Sequence, residues 1–539
     1  MSNGLAHSVA GNGAVQMSGV DQLVLDFLTE HNLPGATVAV SKQGRLVWSK
    51  GYGFANTEEK IQMQPWHRSR IGSVSKVLTA IGALKLVEDG KLALTTLVYT
   101  FYDTSNWRAR HGLTSAQYQQ TFDQLRSQGF RLVQVSGYEV SGQARFAAIW
   151  EKSSGPERQA RHGLTSAQYQ QTFDQLLGQG FRPVQVSGYS VQGRARFAAI
   201  WERMASSGPP GALKDKDYTD AMITGVANLH SHMRPPVLPE AQWRAIVATE
   251  TNKTLMWARD MQIRHLMSHT SGIIGSGQWP KAAEHFNMDE DELTYKETHL
   301  AVLLGLRTNG DGKRIPPFGF APGTDRSYTN HGFGLLGFII AEVSGIPYDK
   351  FIRSRILLPI GLNHVVPYGT SGSSRDAARH RRDANGDPQP LAHGIQDKPM
   401  SLALPTGGWA ATAQDMVRLM CATDKLNNQL DVLGRGTIDI METVAFPEVD
   451  DRQPLGWDSR TPKGNSAVLS KGGMLTGGRA LIRKFLPGYK ADDGTDLSHV
   501  NVAICINISH GISSTGGLLN KIALECGNAD IPESFDLFN

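Results

Sequence analysis

The nine residues Arg110–Tyr118 (RHGLTSAQY) return unchanged as Arg161–Tyr169, 51 residues further on. An exact internal repeat restricts the fold more than any composition can, because each copy must form the same supersecondary unit and bury what it cannot cover alone against its neighbour. Each copy opens on a capping box, Thr114 with Gln117 and Thr165 with Gln168. An apolar helical stripe follows, Tyr118, Phe122 and Leu125 in the first copy and Tyr169, Phe173 and Leu176 in the second. Gly129 and Gly180 stop the helices, and two strands run to Ile149-Trp150 and Ile200-Trp201. The sequence therefore predicts two tandem α-β-β repeats over 103–208, leaning on each other and on their host. His111 and His162 occupy the same point of the duplicated unit and read as structural or solvent-facing.

The repeats interrupt a longer chain. At 539 residues, two or three domains are the expectation. The segments 1–98 and 262–539 read as one discontinuous domain, and 209–261 as a helical connection back to it. A formal charge of +4 with no basic tract argues against nucleic acid as a partner. No apolar run reaches the roughly twenty residues that span a bilayer. Met1–Met17 has neither the basic start nor the apolar core of a signal peptide, so the expectation is a cytoplasmic protein, or a periplasmic or secreted one whose leader has been removed. Cys421, Cys505 and Cys526 are too few and scattered for a disulfide framework or a metal cage and read as core residues. His230 and His232 have no third ligand at a convincing spacing, so no metal site is assigned.

Ahead of the repeats, Ser18 caps an amphipathic helix carrying Val20, Leu23, Val24, Phe27 and Leu28. Strands over Ala36–Ser41 and Arg45–Lys50 turn at Gln43-Gly44. Then comes Arg70-Ile71-Gly72-Ser73-Val74-Ser75-Lys76, leading into Val77, Ala80, Ile81, Leu84 and Val87 at helical spacing, with a stop at Gly90. This places Ser73 on the first turn of a mostly buried helix with Lys76 on the same face. An amine one turn from a hydroxyl at a helix start suits an activated serine nucleophile. Taken alone, the pair reads rather as a surface serine and a solvated lysine, since so short a motif is common.

Behind the repeats, Ile263–Ile273 is a helix end turning into a glycine loop, where His269 reads as holding the turn rather than as a general base. Pro322–Asn330 is a loop that delivers Tyr328 and Asn330 to the start of a helix over Phe333–Val343. A phenol and an amide two residues apart can relay a proton and hold a carbonyl, or be a core tyrosine with a turn asparagine. Lys471-Gly472-Gly473-Met474 falls between strands over Ala467–Ser470 and Ala480–Phe485, and its glycines permit something to approach the backbone closely. Val500–Ile508 is a further strand and Thr515–Cys526 a closing helix.

With Ser73-Val74-Ser75-Lys76, Tyr328-Thr329-Asn330 and Lys471-Gly472-Gly473 in this order, the chain resembles the serine β-lactamase and penicillin-binding-protein superfamily, in its class C-like branch. Framing stretches resemble that branch too: His269–Gly272, Pro322–Thr324, Pro359–Leu362, Gly407–Trp409 and Ala413–Asp415. The repeats are similar to those of polyglycine hydrolases, here inserted within the host domain. The resemblance implies an α/β (α+β) fold of β-lactamase/transpeptidase type, with an antiparallel sheet flanked by helices and an all-helical lobe. It implies Ser73 as nucleophile, Lys76 and Tyr328 as the proton-transfer pair with their division of labour open, and Asn330, Lys471, Gly472 and Gly473 as substrate-binding and electrostatic positions. The amides of Ser73 and Met474 would form the oxyanion hole, and no metal or organic cofactor is implied.

One departure is Gly472, where penicillin-recognising members carry a Ser or Thr hydroxyl. It shifts the expectation from β-lactams to esters and amides, giving a serine hydrolase that works through an acyl-enzyme on a small ester, amide or peptide. The rivals are a peptidase for D-amino-acid or glycine-rich peptides, a weak β-lactamase, and a binding module on a degenerate scaffold. The repeats are expected to restrict access to the cleft. The sequence assigns no oligomeric state.

Overall fold

The computed structural model describes residues 7–101, 107–151, 157–203, 256–275, 298–299, 302, 315–368, 375–391, 403–509 and 514–538. The chain divides into two compact units, 1–98 with 225–539, and 99–224. His230, His232 and the part of the expected connection over 209–255 lie outside the described residues.

An eight-stranded antiparallel sheet organises the larger unit. Val9–Gly13, Arg45–Asn56, Gly35–Lys42, Val500–Ile506, Gly478–Phe485, Ser466–Leu475 and Ser459–Lys463 follow one another across it, with Ile61–Gln62 added against Arg45–Asn56. Strand alternation sends successive side chains to opposite faces. Val38, Val40, Val502 and Ile504 pack with Val24, Phe27 and Leu28 of helix Gly19–Glu30 and with Leu518, Leu519 and Ile522 of helix Thr515–Asn528. On the other face, Ser41 and Asn501 meet Cys421, at the end of helix Ala413–Cys421. The hairpin turn at Gln43-Gly44 holds both residues at positive φ, the backbone that a two-residue turn between twisted strands requires.

Helix Ser75–Glu88 is buried nearly all round, with only Lys85, Val87 and Glu88 outside the core. Such a helix forms the interior of its lobe rather than a face of it. Helix Asn330–Ser344 packs against it. The latter ends on Gly345 at φ +68°, the left-handed cap that only glycine adopts cheaply.

Two local expectations fail here. Ser18 precedes the first helix with αR backbone and makes no side-chain cap. An N-cap needs extended φ/ψ for its oxygen to face the exposed N–H groups. Lys471–Met474 does not separate two strands, because Ser466–Leu475 is continuous and its glycines pair in register with Leu481 and Ala480.

In the smaller unit both capping boxes are present, on helices Ser115–Ser127 and Ser166–Gly178. The repeat is β-α-β-β rather than α-β-β. Trp107–Leu113 and Arg158–Leu164 are strands that pair with the last strand of their own repeat, giving the orders 107–113, 143–151, 131–140 and 158–164, 194–203, 181–191. These leading strands carry Arg108 and Arg110, or Arg158 and Arg161, and no continuous apolar face, so periodicity does not reveal them.

The two copies lean on each other. Ala198 and Ile200 of the second enter the core built by Tyr118, Phe146 and Trp150 of the first. Gln185 hydrogen-bonds both N–H and C=O of Val135, and Glu202 pairs with Arg131 and Arg158. His162 fills the seam, its Nε2 2.8 Å from Ser115 Oγ and its ring on Tyr118 and Phe146, in keeping with a structural role.

Candidate active site

Ser73 stands on a 3-10 turn, Gly72–Val74, that runs directly into helix Ser75–Glu88. The turn lies hard against strand Ser466–Leu475. A Cβ on Gly72, itself at φ +50°, would sit 2.6 Å from Met474 N, and one on Gly473 would collide with Ile71 O and lie 2.8 Å from Ser73 N. Glycine at both places lets the turn and the strand approach backbone to backbone.

One helical turn on, the Lys76 amine is fully buried. Its Nζ lies 3.0 Å from Ser73 Oγ, 2.7 Å from Asn330 Oδ1 and 2.6 Å from the Thr406 carbonyl oxygen. Asn330 is in place because Thr329 caps the helix it begins, accepting the N–H of His331. Tyr328, extended just before that cap, sets its hydroxyl 2.6 Å from Ser73 Oγ. Ser73, Lys76, Tyr328 and Asn330, spread over more than 250 residues of sequence, thus form one hydrogen-bonded group.

Lys471 is also fully buried, its Nζ 5.6 Å from the centre of the Tyr328 ring. Asp458 engages it at 2.6 Å and with its other oxygen accepts the N–H of Gly472 at 2.8 Å. Arg326 stands nearby, donating to Gln453 at 2.8 Å and facing Asp450 at 3.4 Å.

These surroundings move the titrations. Burial, then the charge of Lys471, holds the Lys76 amine well below the ordinary lysine range, Asp458 opposing. Burial pushes the Tyr328 phenol up to about 12, against the hydrogen bond from Ser73. Burial also lowers Lys471, and Asp458 opposes it.

His269, buried at φ +60°, ties its turn to the loop that carries Tyr328. Its carbonyl accepts the N–H of Ser327 and its Nδ1 that of Thr329. Its ring lies on Tyr328 with centroids 4.4 Å apart, and burial with three nearby cations keeps it far below the usual imidazole range. Thr406 and Asp458 are missing from the sequence reading. Thr406 contributes a backbone carbonyl, which no side-chain motif can announce, although Gly407-Gly408 beside it marks the loop. Asp458 follows Gly456-Trp457 and acquires its contacts only through strand pairing. Among the described residues, no group of three His, Cys, Asp or Glu could hold a metal ion.

Residues 252–485 match the β-lactamase family model. The chain carries a β-lactamase-family domain. The polyglycine hydrolase-like structural repeat matches 104–153 and 155–204, so the insertion also has a family of its own. Protein flp of Staphylococcus aureus is 30% identical over 79 residues, covering 15% of this chain and 16% of flp. The human mitochondrial serine β-lactamase-like protein LACTB is 45% identical over 65 residues, 12% of each chain. Each match thus spans well under a fifth of its relative.

Solved structures extend the β-lactamase likeness to the fold as a whole. A class C β-lactamase aligns with TM-score 0.51 at 14% identity, covering 95% of this chain and 98% of its own. SurE aligns with TM-score 0.52 at 18% identity, covering 97% and 78%. The octameric penicillin-binding protein homologue of Pyrococcus abyssi aligns with TM-score 0.50 at 17% identity, covering 94% and 77%. At these identities the likeness is one of fold: an antiparallel sheet with flanking helices, of β-lactamase/transpeptidase type.

Proposed function

We propose that the protein is a serine hydrolase that cleaves ester or amide bonds through an acyl-enzyme on Ser73. The observation that carries this reading is the set of partners of Lys76. Both the Asn330 Oδ1 and the Thr406 carbonyl can only accept, so between them they take the two N–H groups of a neutral amine. The remaining lone pair then faces Ser73 Oγ at 3.0 Å. An amine buried with a depressed pKa and aimed in this way is a general base for the hydroxyl.

In this reading Ser73 Oγ attacks the substrate carbonyl while its proton passes to Lys76. The oxyanion is received by the amides of Ser73 and Met474, each such donor contributing about 3 kcal/mol to the transition state. Tyr328, protonated through the neutral range because its pKa stands near 12, donates to the leaving group and regains its proton from Lys76. Water then attacks the acyl-enzyme by the reverse route. Asn330 orients Lys76 and the substrate carbonyl, and Lys471 with Gly472 and Gly473 supplies the electrostatic and backbone wall of the cleft.

The test is turnover of a chromogenic short-chain ester, nitrocefin and a D-amino-acid anilide by the wild type and Ser73→Ala. Loss of ester turnover by about a thousandfold or more is expected. Undiminished turnover by Ser73→Ala overturns the reading, and a wild type that turns over none of the three favours a binding module on a hydrolase scaffold.

A further inference from the structure

The side of the cleft next to Ser73 offers two groups that could take a negatively charged part of a substrate: the Lys471 ammonium and the cleft-side N–H of Gly472. Neither is free to do so, because the two oxygens of Asp458 hold them at 2.6 and 2.8 Å. Gly472 adds no hydroxyl to replace them. The two members of the ion pair also differ in exposure. The Lys471 side chain is 0% exposed and that of Asp458 38%, so an approaching ligand meets the carboxylate and not the ammonium.

Backbone pairing fixes the arrangement. Asp458 N–H donates to Ser470 O at 2.9 Å, and Ser459 stands opposite Ser470 in the sheet, which sets the Asp458 carboxylate over the next two residues of the neighbouring strand. The other charges facing this place do not reverse its sign. Lys76 is buried behind Ser73, and the Arg326 guanidinium is engaged by Gln453 and Asp450.

From this we propose that Asp458 is the specificity-determining residue of the cleft: it selects ester or amide substrates carrying a free amino group close to the scissile carbonyl and turns away those carrying a carboxylate there. The proposal rests on the serine-hydrolase reading above and names its substrate class. Asp458 acts on the ligand by charge. A carboxylate would meet a like charge with both natural partners already taken, whereas an ammonium would share the half-exposed carboxylate. One such charge contact in a half-exposed cleft changes affinity by about tenfold.

Three p-nitroanilides of matched size separate the outcomes, glycine p-nitroanilide with its free amine, the neutral N-acetylglycine p-nitroanilide and the succinic acid mono-p-nitroanilide. They are assayed as kcat/KM with the wild type, Asp458→Asn and Asp458→Glu, with Ser73→Ala as blank. The expected order for the wild type is amine, neutral, carboxylate. Asp458→Asn should shrink the amine-to-carboxylate ratio about a hundredfold, and Asp458→Glu should keep its direction. The neutral substrate corrects for any common effect through Lys471. A wild type that prefers the carboxylate, or an amine-to-carboxylate ratio unchanged in a folded Asp458→Asn, overturns the proposal while Ser73-dependent turnover still stands. Should Asp458→Asn not fold, the wild-type order decides. Failure of the hydrolase reading looks different, with no substrate turned over above the Ser73→Ala blank, and it takes the proposal with it.

Discussion

Two lysines are buried in the larger unit and are held in opposite ways. Lys76 has only neutral acceptors around its amine: a hydroxyl, an amide oxygen and a peptide carbonyl. Lys484, on strand Gly478–Phe485, pairs with the Glu442 carboxylate at 2.7 Å and also contacts the carbonyl and hydroxyl of Thr423. Burial alone therefore does not make an amine reactive. A carboxylate at contact distance ties two segments of chain together, whereas neutral acceptors leave the desolvation of a buried amine uncompensated and lower its pKa. Lys471 combines both conditions, being buried with Asp458 as counter-ion on its cleft side.

Replacing each lysine breaks the comparison most sharply. Lys76→Ala should lower kcat/KM for a chromogenic ester by about a thousandfold, the usual share of a general base. Lys484→Ala should leave kcat/KM within a few-fold and instead lower stability in urea unfolding by about 3 kcal/mol. That lies at the low end for a broken buried pair, because Lys425 still holds Glu442 at 2.9 Å. Equal losses of activity in the two variants would erase the distinction.

A finer contrast lies in the pH dependence. If Lys76 must be neutral, log kcat/KM rises with unit slope up to its pKa, which lies well below the ordinary lysine value. The Lys471 charge depresses that pKa and the Asp458 charge raises it. Lys471→Ala should therefore move the rising limb to higher pH and Asp458→Asn to lower pH. pH–rate profiles on a neutral ester check both signs, and shifts in the same direction would contradict the assignment of the limb to Lys76.

The smallest effect belongs to the repeats. Thr114→Ala and Thr165→Ala each remove one capping box and should cost about 1 kcal/mol in the unfolding of the smaller unit. Ester turnover should not change, and a change would tie the repeats to the Ser73 site. Thermal melts and kcat/KM on the same samples read both.

What could be read in the sequence follows the range of the interactions involved. The three-residue spacing of Ser73 and Lys76, the caps at Thr114 and Thr165 and the turn at Gln43-Gly44 are local, and side-chain type with period reveals them. The meeting of Tyr328 with Ser73 came from family resemblance, since no periodicity brings together residues so far apart. Asp458 and Thr406 stayed hidden for the same reason. One acts through the register of two strands, the other through a main-chain oxygen that any residue could supply. The leading strands of the repeats are not legible because their arginines, histidine and glycine leave no apolar period to read.

The central claim, that Ser73 is the nucleophile, is tested most directly by trapping it. Treatment with a fluorescent alkyl phosphonate followed by peptide mapping by mass spectrometry should place a single adduct on Ser73, slowed in Lys76→Ala and absent from Ser73→Ala. An adduct on another residue, or undiminished labelling of Ser73→Ala, would contradict it.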